Sequence, residues 1–150
     1  MARVSALTPP QYQPDFFAEA IGAGTHALVP GGLPLDVSTV PIVNGKRTLL
    51  AGSIVNRLFP TDPTLPLAPY KYWTNASTEA LEDFYLVAFT LDNLGGTEAT
   101  ATTDPGCVGI RDKIMIYEDR LPSYWAALTA AKKSIVRQKY ILLFSPKVAY

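Results

Sequence analysis

Cysteine and histidine are nearly absent from this 150-residue chain, which has one of each, Cys107 and His26. A single cysteine excludes an internal disulfide and a zinc site built on several thiolates. The sequence also lacks a phosphate-binding glycine loop that ends in Lys-Ser or Lys-Thr. We therefore predict no cofactor and no metal site.

The sequence offers few groups on which catalysis could rest. His26 lies in a glycine-rich stretch without a predictable partner, and a general base needs a partner to orient it. Cys107 has small apolar neighbours, a pattern typical of a buried filler rather than a nucleophile. Paired carboxylates occur at 82–83 and 118–119, but such pairs are common on solvated surfaces. We predict no catalytic residues and no enzymatic activity.

Long apolar runs are also missing. No segment reaches the roughly 18 uninterrupted apolar residues that a membrane-spanning helix needs. The first fifteen residues contain Pro9, Pro10, Pro14 and Asp15, where a signal peptide would have its apolar core. We therefore expect a soluble protein that is made in the cytoplasm and has no membrane partner.

The total charge is balanced, with 13 basic and 13 acidic side chains, so it does not favour a nucleic-acid partner. The distribution along the chain is uneven. Residues 1–110 contain five Lys or Arg and ten Asp or Glu, whereas residues 111–150 contain eight and three. This split would let copies attract head to tail or dock on a complementary surface; the alternative is that the folded domain intermixes the two sets.

The first 35 residues contain five of the 13 prolines. Because proline removes backbone donors, we predict little regular structure there, apart from one or two helical turns over 14–21. Apolar side chains nevertheless continue to the end of the segment, and a purely solvated tail would have less reason to keep them. We interpret 1–35 as an extended N-terminal arm that binds a partner, followed by a β-rich domain over 36–150. The predicted contact residues are Leu28, Val29, Leu33, Leu35, Val37 and Thr39.

The pattern after the arm predicts strands joined by turns. Residues 36–43 alternate like a strand, and Asn44-Gly45 is the strongest short hairpin signal, leading to a second strand from Arg47. Gly52 inside the next strand pattern predicts a bulge or a sharp bend. Residues 84–91 predict a strand that is buried on both faces.

The last third of the chain predicts one helix and a closing strand. Leu121, Trp125 and Leu128, at spacings of four and three, are typical of an amphipathic helix. Residues 140–144 predict a buried final strand, and 97–102 predict an exposed one. The predicted fold class is therefore mainly β with one or two short helices.

Between the strands, prolines at 60, 63, 66 and 69 exclude a central strand and predict a stiff exposed loop. Tyr70, Tyr72 and Trp73 follow this loop directly. These three aromatic side chains are candidates for a subunit contact or a ligand contact.

The order of these elements resembles one known class of protein. An early hairpin spans 36–57, a central strand 87–92, a small-residue turn 95–100, a further strand 113–121, and a terminal helix and closing strand 126–137. In this order the chain is similar to the bacteriophage head decoration proteins, the capsid cement family of the lambda type. Relative to that family, residues 60–83 look like an insertion.

The resemblance implies a small β-barrel or β-tulip-like domain with an extended N-terminal arm. It implies a structural virion protein that binds the outer surface of an expanded phage capsid as a homotrimer and cements neighbouring major capsid proteins. The expected location is the virion, after synthesis in the host cytoplasm. In this hypothesis the arm contacts the shell, so a chain without residues 1–35 would stay folded and lose capsid binding.

The residues alone leave two alternatives open, an enzyme of unknown class and a ligand-binding module. A small β-barrel module could bind carbohydrate or another ligand by stacking it on Tyr70, Tyr72 and Trp73.

Overall fold

The computed structural model describes residues 16, 27–74, 77–92 and 106–144. The strands are β1 Ile42–Val43, β2 Lys46–Arg47, β3 Ile54–Arg57, β4 Lys71–Tyr72, β5 Asp83–Leu86, β6 Met115–Tyr117 and β7 Ile141–Leu143. The helices are α1 Tyr124–Ala127 and α2 Ala130–Lys139, with 3-10 turns at Val37–Thr39 and Glu118–Arg120. Strand outweighs helix, which confirms the predicted mainly β class with two short helices.

The strands form three small sheets. β1 and β2 form an antiparallel hairpin, β3 lies between β4 and β5 in an antiparallel sheet, and β6 and β7 pair in parallel. Isolated bridges such as Leu28–Ile110, Leu33–Cys107 and Val87–Gly109 extend the pairing between distant segments. Within the described residues these sheets do not close into a barrel.

The central sheet lies between two hydrophobic clusters, because successive side chains of a strand point to opposite faces. Ile54 of β3 and Leu86 of β5 belong to the first cluster, whereas Val55 and the adjacent Val87 belong to the second. The strand predicted over 84–91 is thus covered on both faces, although the regular part ends at Leu86.

The predicted hairpin turn is confirmed. Asn44 and Gly45 have φ values of 51° and 76°, and both residue types adopt this left-handed conformation at low cost. The strand predicted just before the hairpin is wrong at Val37–Thr39, which form a 3-10 turn. Asp36 causes the difference: its Oδ1 accepts hydrogen bonds from Ser38 N at 3.1 Å and Ser38 Oγ at 2.6 Å, and such local bonds compete with a strand.

The helical region differs from prediction in two ways. The single predicted helix is split, because Leu128 is extended and Thr129 begins α2 by accepting a hydrogen bond from Lys132 N. Residues 134–137, predicted as a closing strand by the family resemblance, lie inside α2.

The closing strand predicted over 140–144 exists as β7, but its predicted burial is wrong. Ile141 is 44% exposed and Leu143 is 39% exposed, because β6 is the one strand that pairs with β7 in the described part of the chain.

Some sequence predictions lie outside the described residues. These are the helical turns over 14–21 except Phe16, His26, and the exposed strand over 97–102.

Tyr140 joins the C-terminal helix region to the central sheet. Its hydroxyl accepts a hydrogen bond from Leu86 N at 3.0 Å and donates one to Ile110 O at 2.7 Å. Burial raises the pKa of Tyr140 well above its ordinary value, because the charged phenolate would lose its hydration inside the core. Burial also raises the pKa of Tyr124, whose hydroxyl donates to Gly52 O at 2.6 Å.

We expect the protein to lose stability at alkaline pH. The folded-state pKa of these tyrosines exceeds their unfolded value of about 10, so their contribution is fully present below pH ~10 and is lost as the pH rises above it. The free energy of unfolding should fall by about 1.4 kcal/mol per pH unit for each such tyrosine. Denaturant unfolding at a series of pH values, with tyrosinate absorbance as the second signal, measures this. Titration of every tyrosine of the folded protein near its ordinary pKa would contradict it.

Candidate functional site

The segment 58–69, which we call the proline loop, joins β3 to β4 and is almost entirely exposed. Its prolines recur at every third residue. Four of its apolar side chains are about half exposed: Leu58 at 43%, Phe59 at 56%, Leu65 at 55% and Leu67 at 53%. Exposed apolar patches on a protein surface are candidate sites for binding another molecule, so the proline loop is the candidate surface of this domain.

The base of the proline loop is fixed by three side chains, one at the end of β3, one directly before β4 and one at the start of β5. Arg57 Nε, at the end of β3, lies 2.6 Å from Asp83 Oδ2 at the start of β5. The same oxygen accepts a hydrogen bond from the Tyr70 hydroxyl at 2.8 Å, and the Arg57 guanidinium lies 4.3 Å from the centre of the Tyr70 ring. The residues that flank the loop on either side, Arg57 and Tyr70, are therefore held together.

The electrostatics of this cluster favour one protonation state. Burial, together with the hydrogen bond to Asp83, raises the pKa of Tyr70 well above its ordinary value. The Tyr70 hydroxyl therefore stays protonated, and able to donate to Asp83, at alkaline pH where an exposed tyrosine ionises.

Further hydrogen bonds order the loop itself. Glu82 Oε1 accepts from Phe59 N at 2.9 Å, and Leu65 N donates to Asp62 O at 3.0 Å. Asp62 Oδ1 accepts from Thr64 N at 2.9 Å and from Thr64 Oγ1 at 2.8 Å, and these bonds lower the pKa of the Asp62 carboxyl. Because proline and these bonds already restrict the loop, it loses less conformational entropy when a partner binds.

The three aromatic candidates do not form an exposed platform. Tyr70 is 2% exposed and Trp73 is 4% exposed, and Trp73 Nε1 donates to Glu79 O at 3.1 Å. Tyr72 is partly buried against the second cluster. Stacking of a ligand on these rings would require the core to open, so the structure does not provide the surface that the binding-module alternative needs.

The predicted arm residues are also mostly internal. Leu33, Leu35 and Val37 are buried in the second cluster, so they cannot contact a shell without leaving the core of their own chain. Leu28 and Val29 are partly buried, and Val29 N donates to Gly109 O at 2.9 Å.

Thr39 also makes internal hydrogen bonds. Its Oγ1 donates to Asp36 O at 2.7 Å and accepts from Tyr72 N at 2.9 Å. The predicted boundary at residue 35 therefore does not coincide with an edge of the packed core.

Cys107, which the sequence predicted to be a buried filler rather than a nucleophile, is 3% exposed and packs in the second cluster. Among residues 27–74, 77–92 and 106–144, no group of three or more His, Cys, Asp or Glu is placed to hold a metal ion. No helix in the part that the structure describes is both long and apolar enough to cross a membrane.

Comparison of the chain with known protein families, curated proteins and solved structures finds no match.

The prolines of the loop correctly predicted its exposure, but its exposed apolar side chains were not predicted. The sequence did contain a signal for these exposed side chains. Leucines and a phenylalanine stand close to prolines in a segment that cannot form a central strand, so they have no sheet in which to be buried. The Arg57–Asp83 pair had no comparable signal, because its members are 26 residues apart and meet only through the register of β3 and β5.

Proposed function

We propose that this chain is a structural virion protein that binds the outer surface of an expanded phage capsid as a homotrimer and cements neighbouring major capsid proteins, without catalysis. The observation that carries the proposal is the proline loop, an ordered apolar surface on the outside of the domain. The resemblance of the early hairpin and the following strands to the decoration family supports the same function.

The loop takes the place of the arm as the proposed shell contact. Full burial of a Leu or Phe side chain is worth about 1.5–3 kcal/mol relative to full exposure, so half-exposed side chains each have about half of this left to gain. Several such side chains on one loop give a moderate affinity per subunit. Three loops on one trimer would multiply that affinity, provided that all three reach the shell together.

A matched pair of substitutions tests the loop. We expect Phe59→Ser to weaken binding to expanded heads by about tenfold or more, because it removes the most exposed apolar side chain of the loop from the contact. Phe144→Ser is the control, since Phe144 is 76% exposed and lies after β7, far along the chain from the loop. Both variants should keep the free energy of unfolding within about 0.5 kcal/mol of the parent.

The measurement is the number of copies that sediment with purified expanded heads across a series of protein concentrations. Unexpanded heads provide the comparison. If the parent protein does not sediment with expanded heads, the proposed function fails. If Phe59→Ser binds as the parent does, the loop is not the contact.

A further inference from the structure

Asn44, at the turn of the β1–β2 hairpin, is an exposed amide directly followed by a glycine. Within residues 27–74, 77–92 and 106–144, no hydrogen bond holds its side chain. Gly45 is also exposed, and nothing lies within 4 Å of the position that a Cβ would take there. The amide carbon of Asn44 and the backbone nitrogen of Gly45 are therefore neighbours along the chain with open space around them.

The hairpin gives this turn little resistance to a change of shape. β1 and β2 have two residues each and form a two-stranded sheet in the part of the chain that the structure describes. The exposed pair Val43 and Lys46 closes the turn, and the next hydrogen bond runs from Thr48 N to Pro41 O at 3.1 Å. Local opening costs least where few hydrogen bonds and little buried apolar surface are lost. Only a small part of the hairpin must therefore open to rearrange the turn.

Asn56 has the opposite environment in the same chain. It is 0% exposed and lies in β3, the middle strand of the central sheet. Its Nδ2 donates to Glu79 Oε1 and to Ala80 O, both at 2.9 Å, and its Oδ1 accepts from Glu82 N at 3.0 Å. Asparagine is a thermolabile residue, and the two side chains therefore differ in how far the fold protects them.

We propose that Asn44 is a site of spontaneous deamidation, with the backbone nitrogen of Gly45 as the nucleophile and water as the second reactant. The Gly45 nitrogen gives up its proton to a base in the solvent and attacks Asn44 Cγ. The bond from Cγ to Nδ2 breaks, and Nδ2 takes up a proton and leaves as ammonia. The product is a succinimide ring, and no atom is oxidised or reduced. This inference does not depend on the proposed function.

Water then opens the ring at one of its two carbonyl carbons. Attack at Cγ leaves an aspartate in a normal backbone, whereas attack at the backbone carbonyl carbon leaves an isoaspartate, whose main chain is one methylene longer. Either product places a carboxylate where the turn had a neutral amide. The isoaspartate no longer fits the turn, because a two-residue hairpin turn depends on the backbone dihedrals of both its residues. We expect β1 and β2 to separate, while the central sheet, which shares no strand with the hairpin, stays folded.

Peptide mapping of the incubated full-length protein by mass spectrometry tests the site. The protein is kept at physiological temperature and mildly alkaline pH, and the conversion of amide to acid is followed at Asn44 and Asn56. A synthetic peptide of residues 40–49 gives the rate without the fold. We expect Asn44 in the protein to react within about thirtyfold of the peptide, because the few hydrogen bonds that must open are each worth about tenfold or less. Asn56 should react more slowly than Asn44 by more than about thirtyfold, since it is buried and three hydrogen bonds hold it.

Gly45→Ala identifies the nucleophile. Its methyl group crowds the attacking nitrogen, so we expect slower conversion of Asn44. The φ of 76° at residue 45 strains an alanine and loosens the turn, so a slower reaction would not come from a more rigid hairpin. Direct attack of water on Asn44 Cγ would not be slowed by this substitution.

The proposal fails on any of three results. The first is a reaction of Asn44 more than about thirtyfold slower than that of the peptide, or as slow as that of Asn56, which would show that the hairpin protects the amide. The second is aspartate without isoaspartate, which would mean direct hydrolysis without a ring. The third is an unchanged or faster reaction in Gly45→Ala. A mixture of both acids, formed at the expected rate and slowed in Gly45→Ala, supports the proposal.

Discussion

A chain without residues 1–35 is expected to lose its cooperative unfolding transition. The segment contributes Ala27, Leu33 and Leu35 to the two hydrophobic clusters, with exposed fractions of 0%, 5% and 1%. It also contributes backbone hydrogen bonds, including the pair in which Leu33 N donates to Cys107 O at 2.7 Å and Cys107 N donates to Leu33 O at 2.9 Å.

Truncation of a buried leucine to alanine costs about 2–5 kcal/mol, and the deletion removes two leucines together with the strand-like pairing of their backbone. A domain of this size has about 5–15 kcal/mol of stability in total. The deletion therefore removes an amount comparable with the whole free energy of unfolding.

Near-UV circular dichroism and calorimetry of the deleted chain measure this effect. Leu35→Ala in the full chain should lower the free energy of unfolding by about 2–5 kcal/mol, whereas Leu67→Ala in the proline loop should change it by less than about 0.5 kcal/mol. If the deleted chain unfolds in the same transition as the parent, residues 1–35 are an arm outside the folded domain, as the sequence pattern predicted.

The second large effect is expected at Gly52, where Ala should lower the free energy of unfolding by about 2–5 kcal/mol. Gly52 has a φ of 86°, a conformation that strains any L side chain. A Cβ atom there would lie 2.8 Å from Pro122 Cδ and 3.2 Å from Phe16 Cε2, so the clash falls on packed groups. Strain and overpacking therefore add at this position.

Gly31→Ala is the control that separates the two causes. Gly31 has a similar φ of 80°, but nothing lies within 4 Å of the position that its Cβ would take. We expect Gly31→Ala to cost about 1–2 kcal/mol from backbone strain alone. Equal costs for the two variants in denaturant unfolding would mean that the region around Pro122 relaxes freely, contrary to the packing described.

The features predicted correctly from the sequence depend on local chemistry. The hairpin at Asn44-Gly45 needs two residues that accept positive φ, and both are adjacent in the chain. The exposed proline loop follows from the inability of proline to donate in a sheet. The bend at Gly52 is also local, and its φ of 86° confirms it.

The features that could not be predicted depend on contacts between distant segments. Proline and glycine near the N-terminus correctly predicted little regular structure at 27–35. Irregular backbone does not by itself place a segment outside the core, so the prediction of an external arm did not follow from it. The bridge between Leu33 and Cys107 places this segment in the core, and nothing near Leu33 in the sequence specifies Cys107 as its partner. Similarly, the burial of Tyr70 and Trp73 is set by the two clusters and not by their neighbours in the chain.

The fixed base of the proline loop has a mechanical consequence for the proposed role of the chain as a capsid cement. A pull on the loop reaches the domain through Arg57 and Tyr70, and Asp83 ties both of them to a third strand. A force applied to the loop is therefore shared by β3, β4 and β5, so that no single strand separates from the sheet on its own. In that role, internal pressure that strains the shell would be resisted by a three-stranded sheet that lies between the two hydrophobic clusters.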